Sequence, residues 1–246
     1  MRVPRIYTDS PLTPGDDTLL DAPAAQHVGR ALRMQPGQSL VLFNGDGYDY
    51  PAELVQVTKS TVTARPGTPV PGQAESPLQV HLGQVLSRGD RMDYAIQKST
   101  ELGVASITPL FSDRCEVRLK GDRAEKRQRH WQQVAISAAE QCGRARVPAI
   151  QPVTSLSDWF ARNGSADLRL VLHHRAEHSL SEWGRPGTLA LLIGPEGGLN
   201  EAEIETALAH NYHPAALGPR VMRTETAPVA ALSVCQWLWG DFAQGP

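Results

Sequence analysis

Apolar and polar positions along the chain change period, from near two in the first quarter to alternating strand-like and helix-like blocks beyond it. Residues 39–43 (SLVLF), 52–57 (AELVQV) and 61–64 (TVTA) are short apolar or alternating runs set around an Asn-Gly-Asp-Gly turn, which predicts three strands. One helix is predicted beside them, over 24–34, with Val28 and Leu32 inward and Arg30 and Arg33 on its polar side. Short strands with tight turns predict a small β-barrel. From 65 to 77 the chain reads RPGTPVPGQAESP, four prolines and two glycines with no apolar period, which is linker composition. The boundaries that follow are a first domain over 1–68, a linker over 69–77 and a second domain over 78–246.

In the second domain the pattern predicts strands at 78–85, 104–110, 168–172, 188–193 and 215–217, and helices over 90–102, over 122–141, from Asn200, and from about 226 to Trp239. Such alternation predicts an α/β domain: a parallel sheet with helices on both faces and a ligand at the carboxyl ends of the strands. On the 90–102 helix Met92, Ile96, Ser99 and Leu102 form the inner stripe, while Tyr94, Lys98 and Glu101 share another face. Lys98 and Glu101 read either as a surface ion pair or as neighbours of a substrate. On the long helix Trp131, Val134, Ala135 and Ala138 point inward, and Ser137, Glu140 and Gln141 lie toward its polar end.

Two loops carry most of the chemistry. In the first, a strand of six apolar-rich residues is broken by Gly194, Pro195, Glu196, Gly197 and Gly198, and a helix begins at Asn200. Asn200 with Glu203 three residues on has the form of a capping box, and Ile204, Ala207 and Leu208 supply that helix's apolar stripe. Closely spaced glycines let backbone amides approach a ligand. No Gly-Lys-Ser/Thr follows and the pattern is not GxGxxG, so the loop gives a nucleotide phosphate little support and a triphosphate is not the expected ligand. In the second loop Gly218 and Pro219 end a strand, and Arg220, Val221, Met222, Arg223, Thr224, Glu225 and Thr226 lead into the last helix, spaced by Ala227, Ala230, Ala231, Val234 and Leu238. Apolar side chains bracketed by glycines suit an adenine lying against backbone. Glycine turns that are merely turns remain the alternative.

Composition narrows the class. A chain of 246 residues, 41% hydrophobic, buries a substantial core. No run approaches the roughly 18 apolar residues of a membrane span, and no signal-peptide pattern opens the chain, so a soluble cytoplasmic protein is expected. Cys115, Cys142 and Cys235 have neither disulfide nor metal spacing. His173, His174 and His178 are dense in ligand-type side chains, but without an HExxH-type carboxylate they read as a strand-end loop beside the cofactor, and no metal is expected. Net charge is −2, yet between Arg114 and Arg146 nine basic residues face four acids. That excess suits RNA, or a solvated helix face. Arg2, Arg5, Arg30 and Arg33 form a second basic group, offset by Asp9, Asp16, Asp17 and Asp21.

GPEGGLNEAEIE (194–205) followed by LGPRVMRTETA (217–227) resembles the RsmE family of 16S ribosomal RNA uridine N3-methyltransferases, of the SPOUT superfamily. PRIY (4–7) and QHVGRALRMQPGQSLVLFNGDG (26–47) are similar to the family's small PUA-like RNA-binding barrel. KSTELGVASITPLFSDRCEV (98–117), RHWQQVAISAAEQCGR (129–144) and VPAI (147–150) are similar to its methyltransferase core. Two positions depart from the pattern: Pro228 stands where a small helix former is usual, and Gln26 rather than His precedes His27. The resemblance implies a SPOUT-type parallel sheet with a C-terminal trefoil knot, a homodimer, S-adenosyl-L-methionine as cofactor and 16S rRNA within the small ribosomal subunit as substrate.

On that basis Leu172, His173, Ile193, Gly194, Pro195, Glu196, Gly197, Gly198, Leu217, Gly218, Val221, Met222, Arg223 and Thr224 are the expected cofactor residues. Arg220 and Arg223 are expected to stabilise a uracil anion, with Glu225 or Glu101 taking the proton or orienting an arginine, and the general base is left open. RNA is expected at Arg5, Arg30, Arg33, Lys98, Arg114 and Arg144. Trp237 and Trp239 read as a packed helix or a dimer face. A non-catalytic RNA-binding protein, and a methyltransferase of another RNA, are the two alternatives; cofactor titration separates the first, and the chemical position of the methyl separates the second.

Overall fold

The computed structural model describes residues 3–72 and 75–243, so Arg2 lies outside the described residues. The chain divides into two compact units, 1–75 with 139–147, and 76–138 with 148–246.

In the first unit, strands β1 (Arg5–Tyr7), β2 (Thr18–Leu19), β3 (Ser39–Phe43), β4 (Tyr48–Val57), β5 (Val62–Pro66) and β6 (Val70–Pro71) form one sheet in the order β1-β3-β4-β5-β2, with β6 on β4. Helix α1 (Ala22–Gln26) is capped by Asp21, whose carboxylate accepts from the Ala24 amide at 2.9 Å. That carboxylate also accepts from the Thr8 hydroxyl and the Asp9 amide, and Ser10 donates to the Leu19 carbonyl. These bonds draw the ends of β1 and β2 together: the sheet curls through side chains where a barrel would need a β1–β2 ladder. Ile6, Val28, Leu40, Leu42, Leu54 and Ala64 fill the curl.

The 24–34 helix is corrected in two ways. It starts at Ala22 and gives way at His27–Ala31 to a π-helical turn. Val28 is buried as the pattern predicts, but Leu32 is 41% exposed, because the wider turn rotates it off the inner face.

The second unit is a seven-stranded, wholly parallel sheet. Strands β7 (Gln79–Val85), β8 (Ser106–Phe111), β9 (Ala149–Ile150), β10 (Thr154–Ser155), β11 (Leu168–Leu172), β12 (Thr188–Ile193) and β13 (His213–Ala215) run in the order β10-β8-β7-β12-β11-β13, with β9 also on β8. Both faces of its centre are covered: Val80, Leu82, Val85 and Leu189 through Leu192 are buried, as the continuous apolar runs predict. Pro214 is tolerated because β13 is an edge strand.

The helices are α2 (Arg91–Glu101), α3 (Asp122–Cys142), α4 (Leu156–Arg162), α5 (Glu201–Ala209) and α6 (Thr226–Leu238). Met92, Ala95, Ile96, Ser99 and Thr100 are the buried face of α2, with Leu102 only half covered. Asp93 on α2 binds the Trp131 indole at 3.0 Å and the His130 ring at 2.6 Å, seating α3. The short helix α4, absent from the sequence reading, buries Trp159 and Phe160 against Tyr212.

Helix α6 packs on α2 through Gln236, which is fully buried; it accepts from the Ser76 hydroxyl at 2.7 Å and donates to the Leu102 carbonyl at 2.9 Å. Its inner face is Pro228, Ala231, Leu232, Cys235 and Gln236 rather than the stripe predicted through Val234, which is exposed. Leu208 on α5 is likewise exposed. Trp239 is buried and Trp237 is 61% exposed. Among the described residues all three cysteines are free, no helix is long and apolar enough to cross a membrane, and no group of three metal-type ligands gathers.

Candidate cofactor pocket and its neighbouring cavity

Three adjacent strands, β12, β11 and β13, end on one edge of the sheet, and the loop after each contributes to a pocket of about 380 Å3. From the end of β11 and the loop beyond come Leu172, His173 and His174, and from the end of β12 and the loop beyond come Ile193 through Leu199. From the end of β13 and the loop beyond come Ala215 through Gly218, Arg220, Val221, Met222 and Thr224. Parallel strands put these ends side by side, and the volume is that of a small-molecule site.

The first loop is built as its sequence suggests. Asn200 caps α5: its side chain accepts from the Glu203 amide at 2.8 Å, and Glu203 accepts from the Asn200 amide at 2.9 Å. Glu203 also accepts from the Asp113 amide, fixing the loop to the segment after β8. Gly198 has φ +69° and Gly218 φ +75°, conformations that a side chain with a Cβ resists. The second loop differs from its prediction. The strand ends at Ala215, and Ala216 makes only an isolated bridge to Ser179, so Leu217 is loop rather than strand.

The two loops are tied together. The Thr224 hydroxyl donates to the Gly194 carbonyl at 3.0 Å and accepts from the Gln84 side-chain amide at 3.1 Å, and both Thr224 and Gln84 are buried. Gln84, at the end of β7, was missed by the sequence reading; a polar residue inside the run VHLGQVL was its signal. His173 is held below the ordinary histidine value by burial, then by His174 and Arg175, so its ring stays neutral over a wider range. Apolar walls from Leu172, Ile193, Leu217, Val221 and Met222, backbone polar groups on glycine loops, and Glu196 and Arg114 on the wall together fit a purine carrying an amino-acid arm.

Not every expected residue is here. Arg223 is exposed and is not on the pocket wall; its carbonyl instead accepts from the Thr226 and Ala227 amides at the start of α6. Glu225 lies in a second cavity, of about 1040 Å3, which shares Arg114, Glu196 and Gly197 with the first. Lys98 and Glu101 pair with each other at 2.9 Å and line neither cavity.

Glu196 accepts from the Arg91 guanidinium at 2.6 Å and from the Arg88 amide at 3.4 Å. Burial pushes its carboxyl up, but its own amide, Arg91 and Arg88 together hold it below the ordinary value. Arg114 donates to the Gly197 carbonyl at 3.0 Å.

Two arginines expected at RNA are internal to the first unit. Arg144 is 4% exposed and forms a two-nitrogen pair with Glu75, and Arg5 pairs with Asp49, donates to the Arg144 carbonyl at 3.0 Å and covers the Phe43 ring. Both guanidiniums are engaged within the unit, and nothing in a linear sequence shows which arginine is paired. Arg30 and Arg33 are exposed. Arg33 takes φ +52° just beyond the π-helical turn.

A parallel sheet whose strand ends gather glycine loops around an apolar pocket defines a cofactor-binding α/β protein. Residues 74–236 match the RNA methyltransferase domain family, and residues 20–67 match the RNA methyltransferase PUA domain. A ribosomal RNA small subunit methyltransferase E from Buchnera aphidicola is 35% identical, with 98% of this chain and 99% of the relative covered. A Legionella pneumophila methyltransferase solved with bound SAM superposes with a TM-score of 0.94 at 41% identity, over 98% of this chain and 100% of that one. The Neisseria gonorrhoeae ribosomal RNA small subunit methyltransferase E bound to S-adenosyl methionine does so with a TM-score of 0.92 at 37% identity, with the same coverage. The chain belongs to the ribosomal RNA small subunit methyltransferase E family.

Proposed function

We propose that the protein transfers the methyl group of S-adenosyl-L-methionine to N3 of one uridine of 16S rRNA in the small ribosomal subunit. The observation that carries this is the pocket of about 380 Å3 in which both glycine loops meet, latched by Thr224. Two related proteins solved with S-adenosylmethionine, and relatives named for small-subunit ribosomal RNA, support the cofactor and the substrate class. The bound cofactor supplies an electrophilic methyl on a cationic sulfur, so the protein's part is to hold, orient and remove a proton.

In this reading the residues on the pocket wall hold the cofactor. Arg220, and Arg223 from outside the wall, favour charge developing on the uracil oxygens. Glu225 takes the N3 proton in preference to Glu101, whose carboxylate is committed to Lys98. The first unit acts as a PUA-like RNA-binding domain, with exposed Arg30 and Arg33 and, in the second, Lys98 and Arg114 toward RNA phosphates. The C-terminal segment through α6 is threaded as a trefoil knot, the protein works as a homodimer, and it acts in the cytoplasm. N3 is also the Watson–Crick donor, so the target base is unpaired when it reacts.

The test is calorimetric titration with S-adenosylmethionine, joined to primer extension on small-subunit RNA from cells with and without the enzyme. A reverse-transcriptase stop at one uridine, present only with the enzyme, is expected. Identical traces, or a methyl found on ribose in a nucleoside digest, would overturn the assignment.

A further inference from the structure

The cavity of about 1040 Å3 opens where β7 and β8 end, beside the cofactor pocket and sharing its Glu196–Gly197 wall. β7 lies between β8 on one side and β12 on the other, so the chain's loops part there and leave a crevice.

Its lining has the chemistry of a nucleotide site. Tyr94 is 46% exposed on its wall, and Arg88, Arg91 and Arg114 line it together with Asp90, Glu116 and Glu196; Arg88 pairs with Glu116 at 2.6 Å. Glu225 also lines it, with an Oε2 that is buried without a hydrogen-bond partner and stands 3.9 Å from the Arg91 Nε. Arg91 is itself anchored by Glu196 on the wall common to both cavities. A buried carboxylate oxygen lacking a donor is costly, and an uracil N3–H is a donor lacking an acceptor.

We propose that this second cavity receives the target uridine, with its uracil stacked on Tyr94 and its N3–H directed at Glu225 Oε2. The proposal rests on the methyl-transfer reading above and adds the place of the acceptor. As the N3–carbon bond forms, the sulfur–methyl bond breaks and its electron pair stays on sulfur; the N3 proton passes to the Glu225 carboxylate and is later lost to solvent. Arg91 is a positioning residue, orienting Glu225 from its anchor on Glu196. A base stacked on an aromatic ring must be out of its helix.

The test uses the full chain, S-adenosylmethionine, and small ribosomal subunits lacking the methyl. Tyr94→Ala lowers kcat/KM roughly tenfold or more, chiefly through KM for the subunit, whereas Tyr94→Phe keeps the stacking face and stays near wild type. Glu225→Gln lowers kcat roughly a hundredfold or more, with KM and cofactor affinity retained. Its remaining rate rises with hydroxide concentration, since solvent then takes the proton. Glu225 makes no side-chain capping bond to α6, so glutamine removes no helix cap, and unchanged melting verifies the fold. Wild-type turnover by both Tyr94→Ala and Glu225→Gln, with cofactor affinity intact, overturns the proposal and leaves the methyl-transfer reading standing. A wild-type protein that binds no S-adenosylmethionine overturns that reading instead.

Discussion

The Thr224 hydroxyl bonds the Gly194 carbonyl at 3.0 Å, joining two loops that are thirty residues apart in sequence. Gln84 supplies the second half of the latch from a third element, β7, so one hydroxyl sets the relation of the loops after β12 and β13.

Thr224→Val keeps the shape and removes the hydroxyl. It leaves the Gly194 carbonyl and the Gln84 amide without these partners in a buried setting, a loss of about 1–3 kcal/mol in stability. Loosened loops weaken S-adenosylmethionine binding by roughly tenfold, the equivalent of about 1.4 kcal/mol. Thr224→Ser restores most of both. Calorimetry and thermal melting on the three proteins check this; unchanged affinity in the valine variant would show that the latch is dispensable.

Gly218→Val introduces a β-branched side chain at φ +75°. The penalty for a left-handed residue is about 1–2 kcal/mol or more, and the loop relieves it by leaving its conformation. Space is not the obstacle, because a Cβ at Gly218 meets nothing within 4 Å. The expected result is a folded protein with no detectable cofactor binding, and Gly198→Val, at φ +69°, behaves alike. A Gly218→Ala variant that binds normally would locate the requirement in side-chain bulk instead of backbone angle.

The parallel sheet was legible because each strand buried on both faces reads as an unbroken apolar run, as at Leu189 through Leu192. The build of both glycine loops was legible because glycine at 198 and 218 and the Asn200–Glu203 cap are local signals, complete within a few residues. What escaped depends on partners far along the chain. Tyr48 through Pro51 belong to β4, though a proline inside a strand reads as a breaker. Gln84, Arg91 and Tyr94 gain meaning only when β7 and α2 stand beside the loop after β12. The same limit explains Arg5 and Arg144, whose pairing with Asp49 and Glu75 no linear pattern carries.

Stability of the first unit should depend on pH through His27. Its ring lies 3.4 Å from the Glu140 carboxylate, which also accepts the Tyr7 amide. The hydrogen bond with Glu140 raises the His27 value above the ordinary 6.5, against the opposing effect of burial. A raised folded value means the contribution is fully present below 6.5 and is lost as pH rises through the folded value. His27→Gln should flatten that decline in a melting series and leave the plateau above it unchanged. A wild-type profile with no fall in that window would remove His27 from the account.

Arginine charge in the first unit divides into two kinds, and substitution should separate them. Arg144, buried against Glu75, holds structure: Arg144→Ala takes the charged partner from a partly buried carboxylate, which keeps the Arg146 amide at 3.1 Å, and costs on the order of 3 kcal/mol, read as a lower melting point. Its effect on RNA affinity should follow the loss of fold and leave the salt dependence of binding by the remaining folded protein unchanged. Arg30 is exposed beside Lys59 on a groove of about 860 Å3 formed by α1, the π-helical turn and the 57–60 turn. Arg30→Ala should leave melting within about 0.5 kcal/mol of wild type. It should weaken binding to small-subunit RNA and reduce the slope of log affinity against log salt by about one. The reverse pattern, a changed salt slope for Arg144→Ala and none for Arg30→Ala, would mean that the buried arginine reaches RNA after all.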